Sequence, residues 1–394
     1  MIDKSKDNRY NLMTLCFGQT NMMINLKVNL MISSLLALSF GVSSSITTLP
    51  SVFMTIAIPF GVLLASLLFK KYSIRSVHLF GISLSLIAMI FCAYSTISHT
   101  FMILIIGGAI IGVHAGIGWY YRYNAADISI AERKNTSISY IILAGVPAAI
   151  FGPLIADKTK YLLHNSMFLG TFIVVALINC LTFILFMFIK INYTKSPPSQ
   201  RDNTLITIVS IKQILLQRKF VVGTLATGLC YLIMTQVMVA TPLAMSKIYH
   251  YSLSNITLAM QLHFLGMFLT SLFTGRLINK YGLKPVMLIG ISTYFICSAV
   301  IILGTKPINF YIGLLLLGIG WNFIFISGTS LIVQSQLQHN GHTVQSVNNF
   351  ITSVLSGVGA LLAGPLLFTL GWTQLNIIVL PFSGILLLIA VLGL

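Results

Sequence analysis

Twelve apolar blocks, separated by short polar stretches, take up almost the whole chain: they lie near residues 10–33, 46–69, 76–95, 100–122, 137–156, 166–190, 219–243, 255–275, 284–304, 308–331, 343–368 and 373–394. About 20 helical residues cross the hydrocarbon core of a bilayer, so each block is long enough to be one transmembrane helix. Lipid offers the backbone no hydrogen bonds, and a helix satisfies its own. Composition agrees, because 57% of residues are hydrophobic, 7% are charged and the mean hydropathy is +0.95. That is more apolar surface than a soluble domain can hide. The first block follows Lys4, Lys6 and Arg9, as a secretory signal would, but it is long, studded with asparagine and lacks a small-residue cleavage site. We read it as a retained helix.

The formal net charge of +17 invites a nucleic-acid reading until the charges are placed. Against the twelve spans, 17 Lys and Arg fall on one side, and four, Lys158, Lys160, Lys247 and Lys306, on the other. Positively charged loops stay in the cytoplasm, so the N-terminus, the even-numbered loops, the central linker and the C-terminus are expected there. A nucleic-acid surface would gather the charges on one folded face with aromatics between them; here they are spread over separate loops. The five cysteines, Cys16, Cys92, Cys180, Cys230 and Cys297, lie far apart inside apolar blocks. They have neither CxxC nor Cys/His spacing, which argues against a disulfide framework or a metal site.

The longest polar stretch, INYTKSPPSQRDN, divides the chain near its middle, and Pro197-Pro198 stiffens it. The expected organisation is a six-helix bundle over 1–190, a cytoplasmic linker with an interfacial helix over 191–218, and a second six-helix bundle over 219–394. Matching features recur between the halves. Thr14, Gly18, Asn21 and Asn25 map onto Thr224, Gly228, Tyr231 and Thr235 at an offset of 210; SLLFKKYSIR maps onto GRLINKYGLK at 209; Gly152-Pro153 maps onto Gly364-Pro365 at 212. Three matches near one offset argue for duplication. The fold class is therefore an all-α membrane protein, with twelve transmembrane helices as two pseudo-symmetric six-helix bundles.

GRLINKYGLK (Gly275 to Lys284) resembles the G-x-L-a-D-r-x-G-r-k signature of the major facilitator superfamily, which lies between the second and third helix of a six-helix bundle. The usual Asp is Asn279 here, and the first half keeps only basic character through Lys70, Lys71 and Arg75. The resemblance spans the whole chain, since the two bundles, the linker and the repeated loop all agree with it. GWNFIFISGTSLI (Gly320 to Ile332) and YRYNAAD (Tyr121 to Asp127) are similar to a bacterial subgroup of that superfamily. The resemblance implies alternating access and places spans one and seven on a central cavity.

On a helix, Thr14, Gly18, Asn21, Asn25 and Asn29 fall within about 80° of one another. Amides in lipid must face another helix or a wet cavity, so the stripe is either interhelical glue or solute-binding surface. The matching stripe with Tyr231 and Thr235 in span seven favours the second role for Asn21 and Asn25. Lys27 lies well off the stripe and is expected either to snorkel to the periplasmic surface or to mark a cation in the outward vestibule. In span four, His114, Gly118, Tyr121 and Arg122 share a face. Arg122 is either an interfacial anchor among Trp119, Tyr120, Tyr121 and Tyr123 or a cation at the inner mouth of the cavity. His114, and His263 with Gln261 nearby in span eight, are buried groups able to exchange protons near neutral pH. In the second half Asn322 sits 208 residues after His114, and Gln345, Asn349, Thr352, Ser356 and Gly359 form a sustained polar face in span eleven.

All six acids, Asp3, Asp7, Asp127, Glu132, Asp157 and Asp202, fall in loops, tails or helix ends. With amides, hydroxyls, histidines and two cations in the spans, the chain suits a neutral or anionic organic solute. A Walker loop, an HExxH motif and a nucleophile elbow are all missing, which argues against an ATP motor or an enzyme. The expected function is secondary transport of a small polar organic solute, neutral or anionic, across the bacterial inner membrane by alternating access, without cofactor or metal, by a monomer embedded in lipid and coupled to a proton or ion. A proton-coupled drug or metabolite exporter is the runner-up; AGVPAAIFGP in span five loosely resembles the antiporter motif of exporters. A transporter-like receptor or assembly factor is the rival from another class.

Overall fold

The computed structural model describes residues 4–129, 134–163, 166–189, 217–335 and 341–393. Among these residues there are fourteen α-helices and no strands. In the first half they are α1 (Lys4–Ser39), α2 (Leu49–Lys71), α3 (Ile74–Ser98), α4 (Phe101–Gly118), α5 (Tyr121–Asp127), α6 (Lys134–Leu143), α7 (Gly145–Thr159) and α8 (Leu169–Met187). The second half holds α9 (Arg218–Leu243), α10 (Leu253–Leu269), α11 (Ser271–Tyr281), α12 (Leu283–Ile302), α13 (Pro307–Gln334) and α14 (Gly341–Gly393). The linker and interfacial helix expected over 191–216 lie outside the described residues.

Ten helical stretches are long and apolar enough to cross a membrane, and α10 with α11, bent by 43°, makes an eleventh. The last stretch, Val347–Gly393, holds a break. Gly371 sits there at φ 85° and ψ 172°, outside the helical region. This backbone conformation is nearly reserved for glycine. It divides α14 where the apolar pattern divides spans eleven and twelve, and so completes the two six-helix bundles. In the first half, spans four and five are each interrupted: Trp119 and Tyr120 separate α4 from α5, and Ala144 separates α6 from α7.

The chain divides into two compact units, Met1–Thr194 and Lys195–Leu394. Within the first, α1 packs on α7, α2 on α4, α3 on α4 and α3 on α8; within the second, α9 packs on α14, α10 on α13, α12 on α13 and α12 on α14. The same order of neighbours in both units is the structural counterpart of the repeated offsets. Lipid tails are as apolar as leucine, so the close approach of backbones, rather than the hydrophobic effect, holds such helices together. The crossing of α2 and α4 depends on it most. A Cβ added at Gly61 would run into the Val113 carbonyl, one at Gly112 into the Met54 carbonyl, and one at Gly116 into the Ile58 carbonyl. The outward face of α2 carries exposed Phe60, Leu63 and Leu67, as a helix bordering lipid should.

The helices that carry the two polar stripes are the most enclosed of the spans: 83% of the α1 window and 78% of the α9 window are buried, against 28% for the span that includes α2. Polar side chains line their interior. In the first unit Ser33 of α1 meets Ser51 of α2 at 3.1 Å, and Asn29 Nδ2 donates to the Met54 sulfur at 3.1 Å.

Candidate functional site

On α1, Asn25 is tied on both sides. Its Nδ2 donates to the Asn21 carbonyl at 2.8 Å and to Asn179 Oδ1 of α8 at 2.9 Å, while Asn179 Nδ2 donates back to Asn25 Oδ1 at 3.2 Å. Asn21, one turn earlier, is equally buried, and its Nδ2 has no partner. The two amides of the predicted stripe therefore differ in kind: Asn25 joins α1 to α8, and Asn21 holds out a spare N–H. Lys27 does not snorkel; it is 7% exposed, and its stem packs against Gly152 of α7. The sequence pattern placed it near a water boundary, but the α1/α7 crossing covers it.

His114 Nδ1 lies 2.8 Å from the Gly81 carbonyl of α3. A carbonyl only accepts, so Nδ1 carries the proton and Nε2, unpartnered and buried, is the free acceptor. Gly118 brings α4 against α1, since a Cβ there would meet Met22 Cγ at 2.8 Å. Arg122 is half-buried; its guanidinium lies 4.8 Å over the exposed Tyr123 ring, and Nη2 donates to the Tyr123 hydroxyl at 3.1 Å. A guanidinium over a tyrosine ring is a cation–π contact.

In the second unit Tyr231 of α9 stands edge-on to Trp321 and Phe325 of α13, with ring centres 5.2 and 5.5 Å away. Trp321 and Phe325, one turn apart, are stacked at 4.8 Å with planes 11° apart. The indole Nε1 of Trp321 is buried with no partner. Thr235 pairs with Ser356 of α14 at 2.8 Å. Beside Thr235, Gln236 is fully buried with neither amide atom bonded. Burying an amide without partners costs roughly 2–7 kcal/mol, so such a group is retained for a reason other than packing.

Other predicted residues are taken up by the protein itself. Asn322 accepts from Thr274 and donates to the Met267 carbonyl at 2.7 Å, tying α13 to α10 and α11. His263 Nδ1 reaches the Leu314 carbonyl of α13 at 3.0 Å, and Gln261 is half-buried two residues before it. On α14, Asn348 accepts from Thr227 at 3.1 Å, with Thr352 one turn on; Asn349, the predicted residue, is half-buried beside it. Sequence reasoning missed Asn179, Trp321, Phe325, Gln236 and Asn348. A lone asparagine in the apolar run of span six and the aromatic pair at i, i+4 in GWNFIF were the available signals.

These faces can be compared with known proteins. The Major Facilitator Superfamily profile matches residues 223–394. The riboflavin transporter RfnT of Brucella anthropi (strain ATCC 49188) is 30% identical over 346 residues, covering 87% of this chain and 85% of that protein. Among solved structures, a bacterial homologue of the human lysosomal transporter Spinster superposes with a TM-score of 0.74 at 13% identity, covering 98% of this chain and 96% of the other. The nucleoside transporter NupG does so with a TM-score of 0.69 at 14% identity, covering 97% and 98%. The structural likenesses give the fold, and the sequence relationship along most of both chains gives the lineage: this chain is a multi-pass membrane transporter and belongs to the Major Facilitator Superfamily.

Proposed function

We propose that the protein is a secondary transporter of riboflavin or a closely related flavin, working across the bacterial inner membrane by alternating access of its two six-helix units. The observation that carries this reading is the likeness to a riboflavin transporter along most of both chains. The chemistry of the buried faces supports it. A flavin is a flat ring system with an imide edge and a polyhydroxy chain, and riboflavin is uncharged at neutral pH. Trp321, Phe325 and Tyr231 offer aromatic surface for such a ring, worth about 0.5–1.5 kcal/mol per good pair. Asn21 Nδ2, the Gln236 amide and Trp321 Nε1 are buried groups with hydrogen bonds to give. With no acid in the middle of any span, nothing there favours a cation over a neutral solute. The skewed distribution of Lys and Arg supports cytoplasmic N- and C-termini.

The test is growth and uptake. A riboflavin-requiring bacterium without its own importer should grow on low external riboflavin when it expresses this chain, and proteoliposomes of the purified protein should exchange labelled riboflavin. Absence of exchange by folded protein would overturn the flavin reading. Efflux of lipophilic cations by the same vesicles would replace it with the exporter alternative.

A further inference from the structure

We propose that the second unit carries a site for a phosphate ester of the flavin, in a groove between α11 and α13 at the end of the unit that the Lys and Arg skew assigns to the cytoplasm. The inference rests on the flavin reading above and adds to it a second ligand and the groove that selects it.

The groove has a volume of about 410 Å³, within the roughly 300–1,000 Å³ usual for small-molecule pockets. Phe325, Thr329, Ser330 and Gln334 of α13 form its long wall, and Asn279 of α11 also lines it. The chemistry changes in order along that wall. At one end Phe325 is half of the stack with Trp321 that offers surface to a flat ring. One turn on, the Thr329 hydroxyl is buried with no hydrogen-bond partner. Ser330 donates to the Ile326 carbonyl at 2.9 Å, and its oxygen can still accept. At the far end Gln334 Oε1 accepts from Lys219 Nζ of α9 at 3.2 Å, so an ammonium stands at the rim. Ring, hydroxyls and cation thus follow one another from Phe325 to Gln334, a rise of about 13 Å along the helix. A flavin phosphate has the same order of parts: a flat ring system, a polyhydroxy chain and an anionic end.

Charge selects the ester over the parent solute. Between residues 217 and 393 there is no Asp or Glu, while Arg218, Lys219, Arg276, Lys280 and Lys284 all lie at this end of the unit. Arg218 and Lys284 are taken up by the last carbonyls of α14, at 2.7 Å from Leu392 and 2.9 Å from Val391, and Lys280 lies over the Tyr281 ring. Lys219 is held by a neutral amide, a weaker partner than a phosphate. The superfamily signature has an acid where this chain has Asn279, so the carboxylate that would repel a phosphate is missing from the groove. A phosphate ester carries about −1.5 to −2 charges at neutral pH and gains from this setting; uncharged riboflavin does not.

Phe325 serves both ligands, so the ester and riboflavin exclude one another from it. A kinase-class enzyme acting on the terminal hydroxyl of the imported solute would make such an ester in the cytoplasm. The groove therefore gives the product of the next reaction a hold on the transporter from inside.

Full-length protein in nanodiscs of zwitterionic lipid, titrated with riboflavin and with riboflavin monophosphate and read by flavin fluorescence anisotropy, tests the site. The ester should bind about tenfold more tightly than riboflavin at low salt, and the advantage should shrink as salt rises. Asn279→Asp and Lys219→Gln should each reduce the ratio of the two affinities by about fivefold. A ratio unmoved by both variants, or an ester that binds no better than riboflavin, would overturn the proposal. Riboflavin should displace the ester competitively. Displacement by added phosphatidylglycerol but not by riboflavin would make the groove a lipid headgroup site and would equally overturn it. In proteoliposomes the ester should inhibit riboflavin exchange from the face that carries Lys219, and inhibition from the opposite face alone would count against the site. Riboflavin binding with no advantage for the ester removes this site and leaves the flavin reading standing, whereas folded protein that binds neither compound removes both.

Discussion

Asn25 and Asn179 exchange hydrogen bonds through both of their side-chain amides, one from α1 and one from α8. The pair joins span one to span six at the interior of the first unit. Removing one amide leaves the other buried with unmet bonds, which costs more than the bonds themselves contribute.

Asn25→Ala should accordingly lower stability by about 1–3 kcal/mol, read as a drop in melting temperature of the purified protein. The Asn25→Ala/Asn179→Ala double variant should lose less than the sum of the two singles. Additive losses would show that the pair does not act as a unit.

Asn21→Ala should behave in the opposite way. Its Nδ2 has no partner, and its Oδ1 accepts only a 3.2 Å bond from Asn25 Nδ2, which keeps the Asn21 carbonyl and Asn179 Oδ1, so the melting temperature should fall less than in Asn25→Ala. Riboflavin affinity should weaken by a factor corresponding to about 0.5–1.5 kcal/mol, measured by titration of purified protein. Unchanged affinity would remove Asn21 from the solute face.

Trp321 gives a spectroscopic handle. Indole emission is quenched by a flavin stacked nearby, so riboflavin should quench wild-type fluorescence more than it quenches Trp321→Phe. Trp321→Ala should weaken binding by about 0.5–1.5 kcal/mol or more, and Phe325→Ala by a similar amount. Equal quenching in Trp321→Phe would place the ring elsewhere.

The crossing of α2 and α4 should tolerate no side chain. Gly112→Leu would force the helices apart at the Met54 carbonyl, and the yield of folded protein should collapse while a conservative change on the lipid face, such as Leu63→Ile, is neutral. Normal yield from Gly112→Leu would show that the crossing can open.

The helices were legible in the sequence because each is a long apolar run, and the break at Gly371 because a glycine falls where two runs meet. Paired neighbours were legible as far as the repeat offsets reach. What the period of 3.6 could not give is rotation to better than one residue. Asn348 and Asn349 are adjacent and differ by about 100° around α14, and it is Asn348 that meets Thr227. Nor could it give partners: Asn179 is a single polar residue in an apolar run, so no pattern marks it, and only packing of α8 against α1 brings it to Asn25.

Gly282 and Gly371 adopt almost the same backbone conformation, φ 89° and ψ 169° at one and φ 85° and ψ 172° at the other, and each joins two helices with no intervening loop. A protein engineer looking for somewhere to insert an epitope, a fluorescent label or a protease site would ordinarily choose the links between spans. At these two links there is no slack to host a guest, and the only residue present is one that no other amino acid replaces without strain. The second unit is therefore closed to such insertions at both joints.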